Sequence, residues 1–264
     1  MGISRIYRLF LLNFITSNKL TYTESTKKEV HMSSMAHPVM INPEPVKAGG
    51  LSSTVYDRLK SAILSQEITP STAMQETDLG AKFQVSRTPV REALHDLLRE
   101  GLVRRRGRFY YVAQLSPLEI RHLYEVREAL ERMSVRLFIE YAPEASLDTL
   151  NACLNEQVDA LKVKEIDRLN TLDSEFHLTI AHLTGNTLLQ QQLASVHDKV
   201  ILARGQTPST TPTWSDRVIV EHGRILNALS RRDVAVSDAE MRYHINSAAR
   251  LHLGMKQTPL ESSV

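Results

Sequence analysis

A single cysteine, Cys153, in 264 residues excludes an intramolecular disulfide framework and fits a reducing compartment best, the cytoplasm. No apolar run approaches the roughly 20 residues that a membrane-spanning helix needs, which leaves no membrane partner to expect. Charge of one sign is missing too: 32 Lys and Arg stand against 30 Asp and Glu, a formal net charge of +2. No internal repeat stands out. What is present excludes wholesale disorder, because 42% hydrophobic with 23% charged residues is the balance of a globular chain. The length fits one large domain or two ordinary ones, with ample chain to bury a core.

The near-neutral total hides an asymmetry. Residues 51–113 hold ten basic and seven acidic side chains, residues 114–264 sixteen and twenty. A short basic module joined to a larger acidic one is the pattern of a nucleic-acid reader with a separate sensing or assembly domain. Residues 1–50 do not read as a domain. Arg5 and Arg8 precede a short apolar stretch, Leu9 to Ile15, which Asn13 breaks and no cleavage pattern follows. The Ser/Thr/Lys-rich residues after it and the cluster Pro43, Pro45, Gly49, Gly50 read as a disordered leader ending in a linker. Met32, Met35 and Met40 are alternative starts.

From Leu51 the pattern becomes helical. Val55, Leu59, Ala62 and Ile63 recur at helical spacing, predicting a helix that ends near Pro70. A short helix over Thr77–Phe83 follows, then the turn Gln84-Val85-Ser86. A third helix is expected to open at Thr88-Pro89, with Thr as N-cap and Pro at N1, and to run to Gly101. Leu102-Val103, a basic turn over Arg104-Arg105-Arg106-Gly107-Arg108, and Phe109-Tyr110-Tyr111-Val112 read as a β-hairpin. Three helices and a basic wing make a winged helix-turn-helix. Beyond Gln114 every segment is helical, starting at the capping box Ser116-Pro117-Leu118-Glu119. The fold class is therefore mainly α: a winged helix-turn-helix over 51–113, an all-α bundle of about six helices over 114–255, and a tail over 256–264.

The run Val85-Ser86-Arg87-Thr88-Pro89-Val90-Arg91-Glu92-Ala93-Leu94, with Glu100-Gly101-Leu102-Val103 after it, resembles the signature of the GntR family of bacterial transcription regulators. The resemblance implies Arg87 and Arg91 as DNA contacts. Physical chemistry agrees, since a recognition helix brings its N-terminal residues to the base edges, where guanidinium forks pair with guanine. Ser86, Thr88 and the helix N-terminus suit phosphate oxygens. Taken alone, each arginine is more often a solvated charge, and Arg91 has Glu92 and His95 for neighbours. Two positions depart from the family. Thr77 stands where an arginine is usual, and Phe109 stands where the wing usually has a second glycine, restricting the backbone at its tip and weakening the case for DNA contact by Arg108.

The helical half is similar to the FCD effector domain of the FadR-type branch, and its short length leans toward the VanR-like subgroup. The residues that carry this are Leu172-Asp173-Ser174-Glu175-Phe176-His177, Gly185-Asn186, Glu221-His222-Gly223-Arg224-Ile225-Leu226, and Asp233 through Met241 to His244. The resemblance implies a divalent metal on Asp173, His177, His222 and His244. Helical spacing points the same way. Asp173 and His177 share a face with Leu169, Leu172, Phe176 and Ile180; His222 lies on the stripe of Val218, Ile225 and Leu229; His244 lies with Met241, Ile245 and Ala248. Three imidazoles and a carboxylate turned into an apolar interior need a partner and suit Zn²⁺, Ni²⁺, Mn²⁺ or Fe²⁺. His122, His182 and His197 read as surface or satisfied residues.

Arg127 shares the interior stripe of Ile120, Leu123, Tyr124 and Leu130. A buried guanidinium needs an anion, either an internal carboxylate or a bound ligand, and the resemblance implies the effector pocket. Asn186 reads as a helix cap near that pocket, with ligand contact as a lesser role. The expectation is a homodimeric regulator, a repressor, that binds a palindromic double-stranded operator and answers to a small organic acid at the metal site. The alternatives are a DNA binder with a purely structural metal and a metal-dependent hydrolase. Against the hydrolase, no general base is evident; Glu221 adjoins His222, but successive helix residues diverge.

Overall fold

The computed structural model describes residues 51–206 and 212–255. The expected leader, 1–50, and the tail, 256–264, lie outside the described residues. Among the described residues three helices come first: α1 (Leu51–Leu64), α2 (Glu76–Phe83) and α3 (Arg87–Arg99). Strands β1 (Val103–Arg106) and β2 (Phe109–Val112) follow and pair antiparallel, with Val103 opposite Val112 and Arg106 opposite Phe109. Their core gathers Val55, Leu59 and Ile63 of α1, Leu79 and Phe83 of α2, Val90, Leu94 and Leu97 of α3, and Val103, Tyr110 and Val112 of the hairpin. This is the winged helix-turn-helix that the apolar spacing predicts.

Helix α3 ends at Arg99 rather than Gly101, and details differ from expectation in three further places. Helix α1 stops at Leu64, short of Pro70, because Gln66 turns left-handed (φ 63°) and Ile68 folds back to hydrogen-bond the Ala62 carbonyl. Helix α3 begins at Arg87 with Ser86 as its N-cap residue (φ −65°, ψ 167°), not at Pro89 with Thr88 as cap. Pro89 then falls at the third helical position, where its missing N–H still costs no intrahelical bond. The wing turn is only Gly107-Arg108. Gly107 takes φ 61° at its first position, a conformation open to glycine, while Phe109 belongs to β2. Phe109 therefore does not constrain the tip. Between α2 and α3 the chain turns tightly: a Cβ on Gly80 would stand 3.1 Å from the Val85 carbonyl oxygen.

Six helices follow, as expected: α4 (Pro117–Tyr141), α5 (Ser146–Lys162), α6 (Ile166–Leu183), α7 (Thr187–Gln206), α8 (Pro212–Ser230) and α9 (Val234–His252). The Ser116/Glu119 capping box opens α4, and the Asp233 side chain accepts from the Val236 N–H to open α9. Helix α4 packs on α6, α7 and α9, and α5 packs on α6 and α8. Helix α7 also reaches the winged module. Its Leu202 enters the winged core, Asp198 pairs with Lys60 of α1 at 2.7 Å, and the Gln206 amide bridges the Ala113 carbonyl and the Leu115 N–H.

Candidate metal centre and nucleic-acid interface

The N-terminus of α3 is exposed, and the residues at its tip are polar. Ser86, Arg87, Thr88 and Arg91 are all exposed, and the Ser86 hydroxyl makes no capping hydrogen bond. Arg87 and Arg91 are four residues apart, so they share one face. Arg87 is steadied by Glu76 at 3.2 Å, while Arg91 makes no ion pair among the described residues. The wing adds Arg104, Arg105, Arg106 and Arg108, all exposed. Arg104 pairs with Glu119 at 2.6 Å, and the Arg108 guanidinium lies 4.9 Å from the Phe109 ring centre. Phe109 thus supports Arg108 at the wing tip. Thr77, in the position of the absent arginine, accepts from Gln75 and donates to Asp78.

In the helical half the structure brings Asp173, His177, His222 and His244 together. One candidate ligand atom from each lies within 4.8 Å of all the others, and every one of these residues is buried. Helix α6 supplies Asp173 and His177, α8 supplies His222, and α9 supplies His244. The Nε2 atoms of His177 and His244 stand 3.1 Å apart. Asp173 Oδ1 lies 3.5 Å from His222 Nε2 and 3.9 Å from His177 Nε2. Asp173 Oδ1 and His222 Nε2 are buried without a hydrogen-bond partner.

The outward nitrogens are all engaged. His177 Nδ1 meets Glu131, His244 Nδ1 meets Glu221 Oε2 at 2.8 Å, and His222 Nδ1 meets Gln157 Oε1 at 2.7 Å. An ionised carboxylate only accepts, so Nδ1 of His177 and of His244 carries the proton, and their Nε2 lone pairs face each other. Two facing lone pairs at 3.1 Å repel unless a cation stands between them. A proton or a metal ion serves, and the orphaned Asp173 and His222 atoms aimed at the same point favour the metal. The donor set therefore fits a divalent metal with nitrogen and oxygen preference.

Electrostatics agree. Burial opposes ionisation of Asp173, but Arg204, His177 and His222 outweigh it, and the carboxyl titrates well below its ordinary range. Burial pushes His177 down to about 4, despite the opposing pull of Glu131. Burial and the neighbouring imidazoles push His222 well below its ordinary value. Both rings are thus held neutral, the form that binds metals.

Arg127 is fully buried, as its spacing predicts, and an internal carboxylate meets it: Nε donates to Glu131 Oε1 at 2.6 Å. Its Nη1 and Nη2 atoms have no hydrogen-bond partner. Glu131 also accepts from His197 Nε2 at 3.1 Å, so His197 is buried and satisfied. His122 and His182 are exposed. Asn186 is exposed and accepts from the Leu189 N–H at 3.0 Å, capping α7; that cap accounts for its side chain, and it does not join the cluster. Sequence reasoning missed Glu131, Gln157 and Glu221. Glu221 does diverge from His222, but it turns to His244 and to Arg217, 2.6 Å away. Spacing held the clue: Glu131 is four residues from Arg127, and Gln157 falls on the face of Leu150 and Leu154.

Residues 51–109 match the family of bacterial regulatory proteins, gntR family, and residues 122–247 match the FCD domain. The Nta operon transcriptional regulator of Aminobacter aminovorans is 32% identical over 142 residues, covering 53% of this chain and 67% of its own. The HTH-type transcriptional repressor RspR of Escherichia coli strain K12 is 27% identical over 193 residues, covering 72% of this chain and 84% of its own. The solved structure of E. coli McbR/YncC superposes with a TM-score of 0.69 at 18% identity, over 78% of this chain and 99% of that one. That likeness is one of fold.

Proposed function

Since the chain belongs to the GntR family of bacterial regulatory proteins and carries an FCD domain, we propose that this DNA-binding transcriptional regulator is a cytoplasmic homodimeric repressor released or retained by a small carboxylate bound at a divalent metal site. Its relatives are regulators, not enzymes. Residues 51–113 read DNA, and residues 114–255 bind the effector and pair the protomers. A two-fold dimer presents two α3 helices to half-sites about one helical turn apart. Arg87 and Arg91 meet bases, while Ser86, Thr88 and Arg108 meet the backbone. Affinity falls steeply with salt, because the wing arginines displace counterions.

The observation that carries the effector reading is the inward convergence of three imidazole Nε2 atoms and Asp173 Oδ1. Asp173, His177, His222 and His244 would hold the ion, which when bound offers a Lewis-acidic position to a ligand oxygen. Charge balance then favours an anion. Around the cluster, Arg127, Arg204 and Arg217 match Glu131, Asp173 and Glu221 one for one. A divalent ion therefore adds two buried positive charges that no remaining side chain of these pairs cancels; each carboxylate of a bound ligand offsets one of them. Arg127 presents Nη1 and Nη2 for such an anion.

The test is thermal unfolding against a panel of small carboxylic acids, with and without prior chelation. An acid that raises the midpoint only in metal-loaded protein supports the reading. If chelation alone collapses the fold and no acid acts, the metal is structural and the sensing role is withdrawn.

A further inference from the structure

Each of the three imidazoles has a different outward partner, drawn from a residue that is itself pinned elsewhere. Glu131 is fixed by Arg127 Nε and His197 Nε2. Glu221 is fixed by Arg217, 2.6 Å away. Gln157 is fixed by its own amide, whose Nε2 donates to the Leu172 carbonyl at 3.0 Å. That carbonyl only accepts, so the amide has one orientation, and Oε1 must face His222 Nδ1. All three partners are 2% exposed or less. Resting on the metal reading above, we propose that Glu131, Gln157 and Glu221 are positioning residues: they hold the Nδ1–H tautomer of His177, His222 and His244 so that every Nε2 lone pair faces the ion before it arrives.

The three are not interchangeable. Two rings lean on carboxylates, which raise the basicity of the opposite nitrogen, and one leans on a neutral amide. Gln157 also has to be an amide, because it donates on one side and accepts on the other. A carboxylate there would set an acceptor against the Leu172 carbonyl, and an apolar side chain would strand His222 Nδ1 in the interior. Of the three, Gln157 stands outside the charged pairs, so replacing it disturbs ring orientation without uncovering a buried charge. It is the cleanest position at which to separate positioning from stability.

Two measurements test this on the full-length protein. The first uses imidazole nitrogen NMR on wild-type protein loaded with Zn²⁺. The proposal requires a proton on Nδ1 and the ion on Nε2 for all three rings, and a ring bound through Nδ1 overturns it. The second compares Zn²⁺ affinity of wild type and Gln157→Leu by competition with a chromophoric chelator, with unfolding of each chelated protein as reference. Affinity is expected to fall about 10–100-fold while operator binding of the chelated proteins stays equal; unchanged affinity overturns the proposal and leaves the metal site standing. Wild-type protein that takes up no Zn²⁺, Ni²⁺, Mn²⁺ or Fe²⁺ overturns both. Should Gln157→Leu fail to fold, the wild-type NMR result decides alone.

Discussion

Replacing Arg127 with methionine tests how the centre of the helical domain is held together. The guanidinium is fully buried, donates to Glu131 from Nε, and stacks 5.6 Å from the Tyr124 ring centre. Methionine fills much of the same volume and removes the charge, leaving the Glu131 carboxylate buried with only imidazole donors. Breaking one side of a buried pair costs about 3–5 kcal/mol. The two histidines on Glu131 place the expected loss in chelated protein at the lower end, about 3 kcal/mol. In a chain with this much folded structure that lowers the melting midpoint by roughly 6–12 °C. Adding Glu131→Gln removes the stranded charge and keeps one acceptor oxygen, so the double variant should melt above Arg127→Met alone. Metal loading should shrink the loss, since the ion places positive charge on His177, which touches Glu131. Scanning calorimetry of chelated and loaded forms reads all of this. A single variant within about 1 kcal/mol of wild type, or a double variant that simply adds the two losses, refutes the reasoning.

Acid should weaken the chelated protein early. Burial holds His177 at about 4, whereas an unfolded imidazole titrates near 6.5; the unfolded state binds the extra proton between those values, so stability falls as pH drops through that window. His252, pushed by burial to about 3, acts in the same direction. A urea midpoint that stays flat from pH 6.5 to 4.5 contradicts this. At the interface with DNA, Arg91→Ala should lose about 1–3 kcal/mol of preference at one operator position, read by anisotropy on single-base operator variants; a uniform loss across all sequences would make Arg91 a phosphate contact. Asp198→Asn cuts the Lys60 ion pair between α7 and α1. It should leave the free protein's affinity for an effector unchanged while shrinking the difference between free and operator-bound protein, measured by calorimetry with and without operator; an unchanged difference excludes that pair from the coupling.

The gross architecture was legible because periodicity and caps agree. The Ser116/Glu119 box and the stripe from Ile120 onward mark α4 without ambiguity, and Asp173 with His177 at a spacing of four can only share a face. Convergence of α6, α8 and α9 is a tertiary fact; spacing shows that His222 and His244 turn inward, and the resemblance supplied the idea that they meet. What escaped was local or long-range geometry. Thr88-Pro89 carries a standard start signal, but Ser86 takes the extended conformation and the helix gains two residues. From sequence Phe109 reads as a tip residue, because composition does not set the turn length; pairing with Arg106 places it in the strand. Glu131, Gln157 and Glu221 were hidden for a different reason: a Glu or Gln in a helix is ordinarily solvated, and only the positions of three other helices make these three interior.

Helix α7 ties these findings together, because its two faces serve different halves of the molecule. His197 and Arg204, seven residues apart, lie on one face and bond Glu131, which backs His177, and Asp173 of the candidate metal cluster. Asp198, Leu202 and Gln206, at steps of four, lie on another and hold Lys60, the winged core and the chain between β2 and α4. A ligand shifts operator affinity only by binding two arrangements of the protein unequally. Under the proposed function, metal and anion would both act on Asp173 and Glu131, whose partners on α7 sit within one turn of residues that grip the DNA-reading module. If α7 shifts as a unit when the cluster is loaded, the shift would reach Lys60 and Ala113 at its other face. Linkage would make such a path two-way: if metal or anion binding changes operator affinity, operator binding changes metal or anion affinity by the same free energy.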